Sequence, residues 1–306
     1  GAKLQEARMD EMGASFVEVT AHGGARPSHA VWQGRRYHRG GAVDYLGQHY
    51  EDFESATGYG TGAGLCGWNC RHTFFVVFPE LGSPPAWTQE SLEALNARDI
   101  EYDGRLYTRY EISQMQRARE RAVRKWKRRY LAEDAAGADT TASAVRLRQA
   151  RQSLADFTRA TGGRVDSART SVHGFGRSEG SKASYAARKQ ERFNAANTEL
   201  QQMREAGTIK AKGRLIESPS APNEINFASD HVLQRWAERG MGPMDAERII
   251  RSSKVAMSQR NGTQTCYYSE LGFVAIGQDG NVSSIGPLDE GGKKLMEVVK
   301  KHGIPH

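Results

Sequence analysis

The sequence predicts an α+β protein, and three observations carry that prediction. Short strand-like runs lie in a glycine-rich opening segment, long stretches at helical spacing fill the middle, and the last segment switches from helices to strands. Residues 1–88 are expected to form an irregular α+β domain and residues 89–206 a basic helical region. Residues 207–226 read as a linker and residues 227–306 as a small α+β domain with an antiparallel sheet. A chain of 306 residues is long enough for more than one core.

In the opening segment, Phe16-Val17-Glu18-Val19-Thr20 alternates as a strand does. Thr73-Phe74-Phe75-Val76-Val77-Phe78 is an apolar run stopped by Pro79. Between them Gly58-Tyr59-Gly60-Thr61-Gly62-Ala63-Gly64 is a glycine-dense loop. It has no Gly-Lys-Ser/Thr, so it reads as backbone packed on backbone rather than as a phosphate cradle.

Further on, Ile112, Met115, Arg119, Ala122, Trp126 and Tyr130 recur at helical spacing, with Arg119 the one polar member. Arg117, Arg121, Arg124, Lys125, Lys127, Arg128 and Arg129 take the other faces. Gly137-Ala138-Asp139-Thr140 is a turn with an N-cap. A second helix follows on Leu147, Ala150, Leu154 and Phe157 and stops near Gly162-Gly163, which predicts an antiparallel hairpin. Ser181 to Arg204 predicts a third, thin helix or a helical linker.

The last segment predicts helices over Asp230–Arg239 and about Met244–Arg251, broken by Gly240-Met241-Gly242-Pro243. Strands follow over 265–268, 273–276 and 282–285, the last two joined across Asp279-Gly280, and a helix from Gly291 to His302 closes the chain.

Composition narrows the function classes. Mean hydropathy is −0.67, and no apolar run approaches the roughly 18 residues of a membrane span. The first residues, Gly1-Ala2-Lys3-Leu4, have neither an initiator Met nor the apolar core of a leader, and read as a segment cut from something longer. Three cysteines make no disulfide framework, which fits a reducing compartment. A net charge of +7 permits a polyanionic partner. The basic helix Arg117–Arg129 could neutralise DNA phosphates without reading bases, or be a solvated helix face.

Cys66, Cys70 and His72, with His29 or His22 folding near, could make a tetrahedral structural zinc site. Thiolate and imidazole are favoured zinc ligands, and a metal would fasten a domain short of core. The spacing is not a common zinc pattern, so the same residues could instead pack as small apolar and backbone-bonded side chains.

Ordered motifs add a resemblance. Ala25-Arg26-Pro27-Ser28-His29-Ala30-Val31-Trp32-Gln33-Gly34, followed by Cys70-Arg71-His72 before an apolar strand, resembles the head-morphogenesis proteins of Mu-type phages. The run from Gly58 to His72, together with Tyr110–Arg117 and Phe175–Glu179, is similar to the phage minor capsid protein 2 family over about residues 1–190. The resemblance implies a minor structural protein of a tailed-phage head, found in the virion and, during assembly, in the host bacterial cytoplasm. Its implied partners are portal or other capsid proteins and packaged DNA, with a role in DNA packaging or ejection.

Residues 227–306 resemble a group of phage-borne nuclease-like domains related to the barnase, colicin and RelE ribonucleases. The carrying motif is Asp230-His231-Val232-Leu233-Gln234-Arg235-Trp236-Ala237-Glu238-Arg239-Gly240, with Ser284 where that group often has Thr. The resemblance implies metal-independent cleavage of an RNA substrate, delivered as a toxin in one version. His231 would move protons, Arg235 and Arg239 would meet phosphorane charge, and Ser284 would position phosphate across a cleft. The same residues could equally be the polar edge of an amphipathic helix in an inactive docking module.

Overall fold

The computed structural model describes residues 1–220, 224–227 and 230–305. They fall into two compact units, residues 1–125 with 150–171, and residues 126–149 with 172–306. The α+β class holds, with small antiparallel sheets among many helices.

The first unit contains α1 (Ala2–Met12), β1 (Phe16–Val19), α2 (Pro27–Ala30), β2 (Arg36–His38), β3 (Val43–Tyr45), β4 (Gln48–Tyr50), α3 (Phe53–Thr57), β5 (Phe74–Val77), α4 (Gln89–Asn96), β6 (Arg98–Tyr102) and β7 (Arg105–Thr108). Helices α5 (Arg109–Ala135) and α6 (Thr141–Ala160) give residues to both units, and α7 (Ser167–Thr170) belongs to the first. The two expected strands form β1 and β5 and pair in a three-stranded antiparallel sheet of order β2-β1-β5. Met9, Val17, Val19, Trp32, Tyr37, Phe53, Leu65 and Phe74 pack as its core.

Strand β1 is buried on both faces, and Glu18 shows why its polar position survives there. Glu18 is fully buried, accepts from Arg36 Nε across the β1–β2 register at 2.8 Å, and accepts from the Ala86 amide at 2.7 Å. Arg36 also donates to the Pro84 carbonyl at 2.7 Å, so one ion pair straps residues 84–86 over the sheet. Arg119, the polar member of the α5 stripe, lies with its guanidinium 4.1 Å from the centre of the Phe157 ring on α6. It acts there as a flat cover on the aromatic ring.

The second unit holds α8 (Arg177–Glu205), β8 (Arg214–Glu217), α9 (Asp230–Glu238), α10 (Pro243–Ser252), β9 (Val255–Gln259), β10 (Gln264–Ser269), β11 (Gly272–Gly277), β12 (Val282–Gly286) and α11 (Glu290–Lys301). The strands form one antiparallel sheet in the order β12-β11-β10-β9-β8. Alternate residues sort into two cores. Leu215, Val255, Met257, Cys266, Tyr268 and Ala275 meet Phe193, Ala196 and Leu200 of α8 and Leu295, Met296, Val298 and Val299 of α11. Ile216, Ala256, Tyr267, Val274, Ile276, Val282 and Ile285 meet Trp236 of α9 and Ala246, Ile249 and Ile250 of α10. The sheet is therefore covered on both faces, which is why its strands read as continuous apolar runs.

Two expectations are corrected here. Residues 207–226 are not a plain linker, because Arg214–Glu217 form the edge strand β8 and Ile209 lies in the core. Nor does a boundary separate the helical region from residues 227–306, since α8 shares with α11 the cover of one face of the sheet. On the β8 edge the outward groups of one residue are met by a side chain. Asn197 of α8 accepts from the Leu215 amide at 2.7 Å and donates to the Leu215 carbonyl at 2.9 Å, taking the place of a neighbouring strand.

Two outcomes follow from this packing. A fragment of residues 227–306 lacks β8 and α8 and should show no cooperative thermal transition, whereas a fragment of residues 172–306 should; circular dichroism melts decide. Replacing Glu18 by Ala leaves Arg36 buried without its partner and should lower stability by about 3–5 kcal/mol in urea unfolding.

Candidate metal centre

Three local features bring His29, Cys70 and His72 together. Pro27 at the start of α2 fixes the backbone where Pro is tolerated best and turns His29 inward, where it is almost fully buried. The glycine-dense loop closes on itself, with the Leu65 amide donating to the Thr57 carbonyl at 3.0 Å. A Cβ on Gly64 would stand 1.9 Å from the Gly58 carbonyl oxygen, so this closure is open to glycine alone. His72 enters β5 beside β1, where the Thr20 amide donates to the Thr73 carbonyl and the Thr73 amide to Thr20 Oγ1.

Cys70 Sγ lies 3.7 Å from His29 Nδ1 and 3.5 Å from His72 Nδ1, and the three atoms all lie within 4.8 Å of one another. The tautomers follow from the partners of the other ring nitrogens. His29 Nε2 is 2.9 Å from the Ala63 carbonyl, which can only accept, so Nε2 carries the hydrogen. His72 Nε2 is 2.9 Å from Gln33 Oε1. The His22 backbone amide also donates to that oxygen at 3.1 Å, which fixes the amide orientation, and the Gln33 amide nitrogen donates to Asn96 Oδ1. His72 therefore also carries its hydrogen on Nε2. Both Nδ1 lone pairs point at one sulfur.

Desolvation is the main reason both histidines stay neutral. Burial lowers the His72 pKa to about 3, helped by His22, His29, Arg71 and Arg26 nearby. It also lowers that of His29, outweighing the bond to Ala63. His22 stacks on His72 with ring centres 4.2 Å apart, and its Nε2 is buried with no hydrogen-bond partner. A cleft of about 300 Å³ opens beside the trio, with Arg26, Arg71 and Arg117 in its wall.

Of the residues expected at this centre, Cys66 does not belong. Its thiol donates toward the His72 carbonyl at 3.6 Å, packs against the core, and is pushed up to about 11 by burial. Gln33 is the residue that sequence reasoning missed, although it lies inside the Ala25–Gly34 motif.

Of the constellation expected in the C-terminal region, only Arg239 and Ser284 can be placed. The side chains of His231 and Arg235 lie outside the described residues. Arg239 donates to the Ile285 carbonyl, so its guanidinium is engaged with the β12 backbone. Ser284 stands opposite Ala275 in the β11–β12 register and so shares the sheet face covered by α8 and α11. Trp236 of α9 packs on the other face. A register shift at Ala275/Ile276 produces this, setting Val282 and Ile285 on the α9 side and Ser284 away from it.

Most of the first unit lies in a stretch shared with proteins of bacteriophage heads. A family model for phage minor capsid protein 2 matches residues 1–159, and the chain belongs to that family. It is therefore a structural component of the phage head, with other capsid proteins as partners and the virion as its place. No curated protein and no solved structure matches the chain. No helix among the described residues is long and apolar enough to cross a membrane.

Replacing Gln33 by Leu removes the acceptor for both His72 Nε2–H and the His22 amide. The cost should be about 1–3 kcal/mol in urea unfolding, and a change within a few tenths would show that the amide is not holding the ring.

Proposed function

We propose that the protein acts close to the portal, at the inner face of the head, and contacts packaged DNA without reading its sequence. The observation that carries this reading is the basic helix α5 within a chain of the minor capsid family. Several of its cations are engaged within the protein. Arg119 covers Phe157, Arg124 donates to the Arg169 carbonyl, Lys127 lies 5.3 Å from the Phe175 ring centre and Arg129 pairs with Glu133. Arg121 and Arg128 are both exposed and suited to meet phosphates.

The covered sheet of the second unit supports a packing or docking role for residues 227–306 rather than a ribonuclease. Ser284 leaves the proposed site, and with it goes the strand side of the expected cleft. The toxin-type ribonuclease, with the capsid part as its vehicle, stands as the alternative. RNA degradation by the full chain that is lost in His231→Ala would reinstate it.

Two measurements test the main reading. Labelled protein should map to the portal vertex of purified virions, and a distribution over the whole shell would contradict it. Binding to duplex DNA should fall with salt, and the double change Arg121→Ala, Arg128→Ala should reduce the slope of log K against log salt by about 1–2. An unchanged slope would remove DNA contact by this helix and leave the head role untouched.

A further inference from the structure

We propose that His29 Nδ1, His72 Nδ1 and Cys70 Sγ bind one divalent transition-metal ion, zinc by the character of the donors. The ion's fourth position would open to the basic cleft walled by Arg26, Arg71 and Arg117 and take water exchangeable for a phosphate-type oxyanion. The site does not depend on where the protein sits in the head.

The geometry carries the first part. Zinc–sulfur and zinc–nitrogen bonds of about 2.3 and 2.0–2.1 Å at a tetrahedral angle separate sulfur from nitrogen by roughly 3.5–3.6 Å. The two observed separations are 3.5 and 3.7 Å, so both sulfur–nitrogen distances match those an ion between them would set.

Without a metal the arrangement is unbalanced. A thiol has one hydrogen and can donate to one imidazole, while two lone pairs converge on it. A cation satisfies both lone pairs and the thiolate together, the thiol proton leaving to solvent. The Nε2–H groups of both histidines are held by acceptors, Ala63 O and Gln33 Oε1, which is the outer-shell anchoring that metal-binding imidazoles use.

The second part rests on what surrounds the trio. Only three protein donors converge among the described residues, and Cys66 is turned toward a backbone carbonyl. The same three side chains help to wall the cleft, whose three lining arginines favour an oxyanion over a neutral ligand.

The test uses the full chain, reduced and stripped of metal, titrated with cobalt(II) and then with zinc. One equivalent of cobalt should bind and give a thiolate-to-cobalt charge-transfer band with the intense visible bands of a tetrahedral ion. Zinc should displace it. Cys70→Ser should lose the charge-transfer band and Cys66→Ser should keep it. Adding inorganic phosphate should shift the visible bands, and Arg71→Ala should raise the phosphate needed by about tenfold or more. The proposal is overturned by absence of stoichiometric uptake in the unaltered chain, or by loss of the band in Cys66→Ser. Neither result depends on whether Cys70→Ser folds. A spectrum indifferent to phosphate, with uptake lost in His22→Ala, would overturn the open position by making His22 the fourth ligand.

Discussion

A single carbonyl oxygen, Oε1 of Gln33, determines how the first unit is arranged at its polar centre. It accepts from the His22 amide and from His72 Nε2 at once, and the nitrogen of the same amide is tied to Asn96. Rotating that amide would set a donor against two donors, so its orientation is fixed, and with it the tautomer of His72. Buried imidazoles lose water on every side. That loss keeps them neutral, and their direction is then decided by whichever protein acceptors remain. Here those acceptors are placed by the loop closure at Gly58 and Gly64 and by the inward turn at Pro27.

The second unit is governed by a different constraint. A sheet whose strands are apolar on both faces cannot stand with one face in water. Helices α9 and α10 cover one side, while the other is covered by α11 from the end of the chain and α8 from well before the sheet. The sheet is thus completed by a helix drawn from the basic middle region, and the chain between them is drawn in as an edge strand.

Much of this was legible from residue patterns alone. Val17 and Val19 mark β1, the 3/4 spacing from Ile112 to Tyr130 marks α5, and Asp279-Gly280 marks the last hairpin, because each is a local rule with a local cause. β8 was not legible. Arg214–Glu217 is short, half polar, and set among Gly, Ser and Pro, and its strand state comes from pairing with β9. The orientation of Ser284 was hidden for a related reason. A one-residue bulge inverts a strand's faces, and nothing in Val282-Ser283-Ser284-Ile285 announces it. At the centre of the first unit, His29, Cys70 and His72 could be named from donor chemistry. Excluding Cys66 and finding Gln33 required the loop's three-dimensional path.

The Asn197 carboxamide on β8 has a consequence for life inside a particle. An open strand edge is a template for a strand of any neighbouring copy, and a head concentrates its components in a confined volume. By offering Leu215 one acceptor and one donor from its own helix, the chain occupies both outward groups of that residue before another molecule can reach them. A second copy then meets no free donor or acceptor at Leu215, so β8 is a poorer template for strand addition than an uncapped edge would be.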